Sequence, residues 1–129
     1  MSEVTLKKQR PKFLALNEIR LPLPGKVSIL HRVSGAGLFL FLPFLLWLFS
    51  ATVGSPESFA AVSSAASSPL VKFILTGLLW AFMHHFCAGI RYLLLDMHIG
   101  IELQSARQSA MIVLVVSLAL TALIGVKLW

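Results

Sequence analysis

Three long runs of apolar residues, separated by short polar segments, dominate the chain. The first, from Val33 to Val53, holds no charged residue, and neither does the stretch between Lys72 and Arg91. The third, Gln108 to Val126, is also uncharged. Because about 20 apolar residues in an α-helix cross a bilayer core, the pattern predicts an all-α membrane protein with three transmembrane helices.

The runs and their flanking residues set the predicted organisation, a single membrane-anchor domain over residues 1–129. The three spans are predicted at approximately 27–53, 70–96 and 108–128. Residues 1–26 are polar, basic and interrupted by prolines, which lack a backbone donor and disfavour helix in the preceding residue. We therefore expect an extended or short-helical N-terminal arm at the membrane surface.

The remaining segments carry fewer signals. Residues 54–69 read as a loop of small polar residues, in which a short surface helix can start at Pro56, since proline is favoured at a first helical position. The third span holds no buried polar group larger than Ser117 or Thr121. We expect that span to serve packing.

Composition and charge agree with a membrane location. Hydrophobic residues make up 57% of the chain and charged residues 12%, which is too apolar for a soluble domain of this size. Seven of the 11 Lys and Arg residues fall in the first 32 positions, and the loop at 54–69 has none. The positive-inside rule therefore places the N-terminal arm and the 97–108 loop in the cytoplasm. Nucleic-acid binding is disfavoured, because the cations lie at a membrane edge with little aromatic interleaving.

Two adjacent histidines, His84 and His85, lie within the second span. Ionisable residues inside a membrane are costly and usually functional, and neutral imidazole is a standard ligand for haem iron. Neighbouring helical residues point about 100° apart, so the two cannot ligate one iron. Gly89, one turn from His85, leaves room for a flat macrocycle and favours His85. The alternative is a structural role, in which both histidines only make helix–helix hydrogen bonds.

The start of the first span supplies further candidates. His31 and Arg32 lie where they can meet haem propionates, although an arginine at a span edge is usually a lipid-phosphate anchor. Ser28 and Arg32 are four residues apart and share a helix face. Because no other histidine lies deep in the first or third span, a second haem ligand would have to come from another chain.

Two motifs in these regions are similar to the large cytochrome b membrane-anchor subunit of succinate dehydrogenase, respiratory complex II. The first joins Arg10-Pro11, Ile19–Pro22 (IRLP) and Ser28–Gly35 (SILHRVSG). The second is His85-x-x-x-Gly89-Ile90-Arg91 with Asp96 five residues on. The resemblance runs from about Lys7 to the C-terminus.

The resemblance implies roles for four residues. His85 matches an axial ligand of haem b, with the other ligand from a small anchor subunit. His31 and Arg32 match residues near the haem propionates. Ser28 and Arg32 match residues that line the ubiquinone site, which the small anchor subunit and the iron–sulfur subunit would complete.

The same resemblance implies that the chain is a non-flavin subunit of the enzyme. Succinate would be oxidised in a soluble flavoprotein subunit, and that subunit and the iron–sulfur subunit would dock on the cytoplasmic face. The chain has neither a Gly-rich nucleotide loop nor a cysteine cluster, so no activity is expected from it alone. A bacterial cytoplasmic (inner) membrane is the simplest location, because there is little room for a transit peptide before the matching region.

One departure and several rival functions accompany the resemblance. Tyr92 stands where many members have histidine directly after Gly-Ile-Arg. Within the family, a fumarate-reducing enzyme would have nearly the same sites. A haem-free membrane anchor is a more distant rival. A transporter subunit would need polar residues through the depth of several spans, and the third span offers none.

Overall fold

The computed structural model describes residues 18–129, and all the regular secondary structure in this range is helical. The elements in chain order are α1 (Leu23–Gly54), α2 (Pro56–Ala66), α3 (Pro69–Asp96) and α4 (Leu103–Leu128). Residues 1–17 lie outside the described range. The prediction of an N-terminal arm therefore stays a prediction for those positions.

Prolines set the starts of the first three helices. α1, α2 and α3 each carry proline at the first or second helical position, where the missing N–H costs nothing because it would have no partner within the helix. α1 consequently begins at Leu23, four residues before the predicted start of the span at residue 27. It then runs without interruption through Pro43.

The short helix α2 occupies the segment in which Pro56 indicated a possible start. Ser55 and Ser58 form a capping box: the Ser58 N–H donates to Ser55 Oγ at 3.2 Å, and the Ser55 N–H donates to Ser58 Oγ at 3.0 Å. This box satisfies two backbone donors at the helix start. The pKa of Glu57 lies below its usual value because its own backbone N–H, and then the Ser55 side chain, stabilise the carboxylate.

Three of the helices, α1, α3 and α4, are long and apolar enough to cross a membrane, which confirms the predicted fold class. α4 begins at Leu103, five residues before the predicted span, so the connection from α3 is short. That connection contains two left-handed residues, His98 (φ 61°) and Gly100 (φ 75°).

α3 is the central helix, in contact with both α1 and α4. The apolar core is small and consists of Val27, Ala88, Ala110 and Val113. Most large apolar side chains lie outside it, as expected of surfaces that face lipid or partner subunits.

α4 contributes two buried hydroxyl groups to the packing, and both are satisfied within the helix. Ser117 Oγ donates to the Leu114 carbonyl at 3.0 Å, and Thr121 Oγ1 donates to the Ser117 carbonyl at 2.7 Å. Bonding of this kind removes the cost of burying a hydroxyl. It agrees with the packing role expected for the third span.

Candidate functional site

The imidazole of His85 on α3 lies against the backbone of Gly35 on α1. A Cβ atom at Gly35 would lie 2.7 Å from His85 Cε1 and 3.2 Å from Nδ1, closer than side chains approach one another. Gly35 therefore permits this contact. At Gly37, two positions further along α1, an added Cβ would meet nothing within 4 Å.

One ring nitrogen of His85 is fixed by the backbone of α1. Nδ1 lies 3.0 Å from the carbonyl oxygen of His31. Because a carbonyl can only accept, this hydrogen bond requires the proton on Nδ1. Ser34 Oγ donates to the same carbonyl at 3.0 Å and lies 3.4 Å from Nδ1. In this tautomer Nε2 carries the free lone pair, and within residues 18–129 it makes no hydrogen bond.

The ring of His31 completes this contact from the side. It stacks on His85 with ring centroids 4.2 Å apart and planes 9° from parallel, and its centroid lies 5.1 Å from that of Tyr92. A Cβ at Gly89 would meet only His31 Nε2, at an ordinary 3.8 Å. The Tyr92 hydroxyl is buried and has no hydrogen-bond partner among the described residues. Tyr92, the departure from the family motif, therefore lies beside His31.

Ser28 and Arg32 lie together on the exposed side of α1. Arg32 Nη2 donates to Ser28 Oγ at 3.3 Å, as their spacing predicts. Gly35 follows Arg32 by three positions, so the three residues form one stripe at i, i+4 and i+7. The candidates on α1 and the His85 contact therefore share one side of the bundle.

His84 lies on a different face of α3 and is completely buried. The buried residues of α3 are His84, Ala88 and Arg91, which lie at i, i+4 and i+7 on one helix face. Neither ring nitrogen of His84 has a hydrogen-bond partner among residues 18–129.

Arg91 has a role that the sequence did not indicate. It is only 6% exposed, Nε donates to Ser109 Oγ at 2.9 Å, and Nη2 donates to the Ala106 carbonyl at 3.2 Å. Arg91 therefore joins α3 to α4. Its partners were hidden because Ser109 fell within a span assigned to packing.

The side chains at this site are too few to coordinate a metal ion that brings no ligands of its own. Nowhere in residues 18–129 do three or more His, Cys, Asp or Glu side chains cluster as metal ligands. A single imidazole with an open Nε2 instead suits a group that brings most of its own ligands, such as haem iron.

A family model described as "Succinate dehydrogenase/Fumarate reductase transmembrane subunit" matches residues 7–124. The chain belongs to this family. Among its relatives, the succinate dehydrogenase cytochrome b556 subunit of Paracoccus denitrificans is 35% identical over 114 residues, which cover 88% of each chain. The subunit of the same name from Coxiella burnetii is 34% identical over 122 residues, covering 94% of this chain and 98% of the relative. That from Rickettsia felis is 29% identical over 120 residues, covering 92% of each chain.

Membership of the succinate dehydrogenase/fumarate reductase transmembrane subunits confirms the resemblance found in the motifs. Together with the three apolar helices, it identifies a multi-pass membrane subunit of that enzyme complex. The Ser28–Gly35 part of the first motif and His85 of the second motif meet at the α1–α3 contact.

Proposed function

We propose that this chain anchors a succinate:ubiquinone oxidoreductase in the membrane, binds haem b jointly with a second anchor subunit, and forms part of the quinone-reduction site. The observation that carries the proposal is the state of His85. Its Nδ1 is held by the His31 carbonyl, and its Nε2 is left free. The names of the relatives, cytochrome b556 subunits, agree with a haem of the b type.

The surroundings of His85 fit the needs of a haem ligand. Metal-ligating histidines usually donate their second ring N–H to a carbonyl or carboxylate, which fixes the tautomer and orients the ring. The His31 carbonyl takes that role here, and Gly35 lets the ring seat against α1. Bound haem b would supply a one-electron redox centre. His84, buried and on another face of α3, would take no part in ligation.

His31 and Arg32 are the proposed partners of the haem propionates. His31 stacks on the proposed ligand, and the guanidinium of Arg32 is exposed one residue further along α1. A guanidinium binds a carboxylate through two parallel hydrogen bonds, which gives both energy and orientation. α3 is about 42 Å long, and His85 lies about 16 Å from its C-terminal end. Because a bilayer core is about 30 Å thick, the ligand lies below an interface that these cations can reach.

Ser28 and Arg32 are the proposed quinone-binding residues. Arg32 donates to Ser28 Oγ, so the Ser28 hydroxyl keeps its own hydrogen for a quinone carbonyl. The positive charge of Arg32 would stabilise negative charge that develops on a quinone oxygen during reduction, an effect that grows in a water-poor site. Protons would enter from the nearby cytoplasmic side.

The proposal includes partners and an orientation. A small anchor subunit would supply the second haem ligand, and the iron–sulfur and flavoprotein subunits would dock at the N-terminal, cytoplasmic side of a bacterial inner membrane. The charge asymmetry supports this orientation, with cations concentrated before and at the start of α1. The family also includes fumarate reductases, and the quinone of the source membrane would decide the direction of the reaction.

Ligand replacement in the co-expressed, purified complex tests haem binding at His85. We expect His85→Gly to lose haem, and added imidazole to restore it by occupying the vacated position. His84→Gly is the matched control and should keep haem without imidazole. Retention of full haem by His85→Gly, with the spectrum unchanged by imidazole, would contradict the proposal.

A further inference from the structure

A cavity of about 450 Å³ opens between α3 and α4, near the end of the bundle where their connecting segment lies. Most of its lining is apolar, with Leu94, Ile112 and Val116 among the lining side chains. Arg91 and Gln108 also line it, and the lining extends to both sides of Arg91, from Cys87 to Gly100. The volume falls within the range of about 300–1,000 Å³ that is usual for sites of small ligands. The cavity is therefore largely apolar, with one cationic side chain in its wall.

The guanidinium of Arg91 is buried without a counter-charge from the described chain. It is 6% exposed, and both its hydrogen-bond acceptors, Ser109 Oγ and the Ala106 carbonyl, are neutral. No Asp or Glu among residues 18–129 accepts a hydrogen bond from it. A buried charge that neutral groups alone solvate remains costly in a low-dielectric setting. An anion in the cavity beside Arg91 would lower this cost.

The cavity lies away from the proposed haem and quinone residues. At about 100° per residue, Ile90 and Leu94 point roughly 140° and 180° away from His85 around α3. Both line the cavity. The cavity thus faces the side of α3 opposite the proposed ligand, and it belongs to a different site.

The depth of Arg91 in the membrane indicates which type of ligand the cavity can bind. Arg91 lies five residues from the end of α3, about 7.5 Å along the axis. α3 is about 12 Å longer than the hydrocarbon core is thick, and this excess is shared between its two ends. The guanidinium of Arg91 therefore lies close to the level where the hydrocarbon meets lipid phosphates. Below it, the lining on α4 is apolar through Ile112, Val113 and Val116.

We propose that this cavity binds one anionic phospholipid, with its phosphate paired to Arg91 and an acyl chain along α4. Basic pockets between transmembrane helices are suited to anionic headgroups. The Gln108 amide and the Ser105 hydroxyl, both in the lining, can donate further hydrogen bonds to the headgroup. A neutral quinone would leave the Arg91 charge uncompensated, and the charge complementarity therefore favours the lipid.

Native mass spectrometry of the intact complex, exchanged into equimolar phosphatidylglycerol and phosphatidylcholine, tests the proposal. We expect one phosphatidylglycerol to be retained on this subunit in preference to phosphatidylcholine. Arg91→Gln should abolish the preference, whereas Arg107→Gln, at an exposed position outside the cavity lining, should preserve it. Equal retention of the two lipids by the wild type, or no lipid at all, would overturn the proposal.

Two further experiments complete the test: a second variant and a competition with inorganic phosphate. If Arg91→Gln does not assemble, Val116→Trp fills apolar space in the cavity and should displace the lipid without changing the charge. Continued selective retention in Val116→Trp would overturn the proposal. Excess inorganic phosphate should leave phosphatidylglycerol bound, because the acyl chain contributes to affinity. Displacement by phosphate would mean a simple anion site and would also overturn the assignment to a lipid.

Discussion

Nδ1 of His85 donates a hydrogen bond to the backbone carbonyl oxygen of His31, 3.0 Å away, across the contact between α3 and α1. The acceptor is a main-chain group, so no side-chain substitution on α1 removes it directly. The bond fixes which nitrogen carries the proton and leaves Nε2 with a free lone pair. His31 thus contacts His85 through its backbone carbonyl and through its stacked ring, and the two histidines do not form a pair of ligands.

Gly35→Ala should displace His85. Alanine favours helix over glycine by about 1 kcal/mol, but its Cβ would lie 2.7 Å from His85 Cε1, so α1 and the ring must move apart. We expect reduced haem content or a shifted haem spectrum in the purified complex. Gly37→Ala is the matched control, because its Cβ meets nothing within 4 Å. Identical, wild-type spectra for both variants would show that the Gly35 contact does not position the ligand.

Ser28→Ala should slow quinone reduction by about tenfold, the equivalent of one neutral hydrogen bond of about 1.4 kcal/mol. Succinate oxidation with an artificial soluble acceptor should stay intact, because that reaction bypasses the membrane site. Ser50→Ala, at an exposed position near the other end of α1, is the control and should leave both rates unchanged. Equal loss of both activities in Ser28→Ala would count against a quinone-binding role.

Arg91→Gln should weaken the packing of α3 against α4. The substitution disrupts charged hydrogen bonds to Ser109 and the Ala106 carbonyl, and a hydrogen bond to a charged group contributes about 1.5–3 kcal/mol. Denaturant titration of the complex should give a lower free energy of unfolding by about this amount. Arg107→Gln, at an exposed position, should have little effect. If the two variants unfold alike, Arg91 does not hold the helices together.

His84→Phe should leave the stability of the complex unchanged or raise it. His84 is completely buried, and its two nitrogens lack hydrogen-bond partners within the described chain. Leaving a buried polar group unsatisfied costs about 1–3 kcal/mol, and an apolar replacement of similar shape removes that cost. Thermal unfolding of the assembled complex measures the effect. A marked loss of stability would contradict the absence of hydrogen-bond partners for His84 among the described residues.

Sequence periodicity was sufficient to separate the two histidines. Helical geometry alone pointed His84 and His85 about 100° apart, and the structure buries His84 on one face of α3 with Ala88 and Arg91. Charge-free run lengths likewise predicted the three long helices, because hydrophobic thickness fixes how long a span must be. The starts of α1 and α4 were less predictable, since helices continue beyond the apolar runs wherever capping or packing allows.

Contacts between helices could not be predicted in the same way. Gly35 and His85 are 50 residues apart in sequence, and their contact depends on the rotation of α1 and α3 about their axes. The same holds for Arg91 and Ser109, which meet across the α3–α4 turn. Apolar patterning marks which residues avoid water, but in a bilayer lipid and protein are equally apolar, so the pattern does not say which neighbour each face contacts.

A reduced-minus-oxidised absorbance spectrum of the co-expressed complex most directly tests haem ligation by His85. The comparison is between the wild type, His85→Leu and His84→Leu. We expect a b-type haem band in the wild type and in His84→Leu, and its loss only in His85→Leu. A band lost only in His84→Leu, or no band in the wild type, would contradict ligation through the free Nε2 of His85.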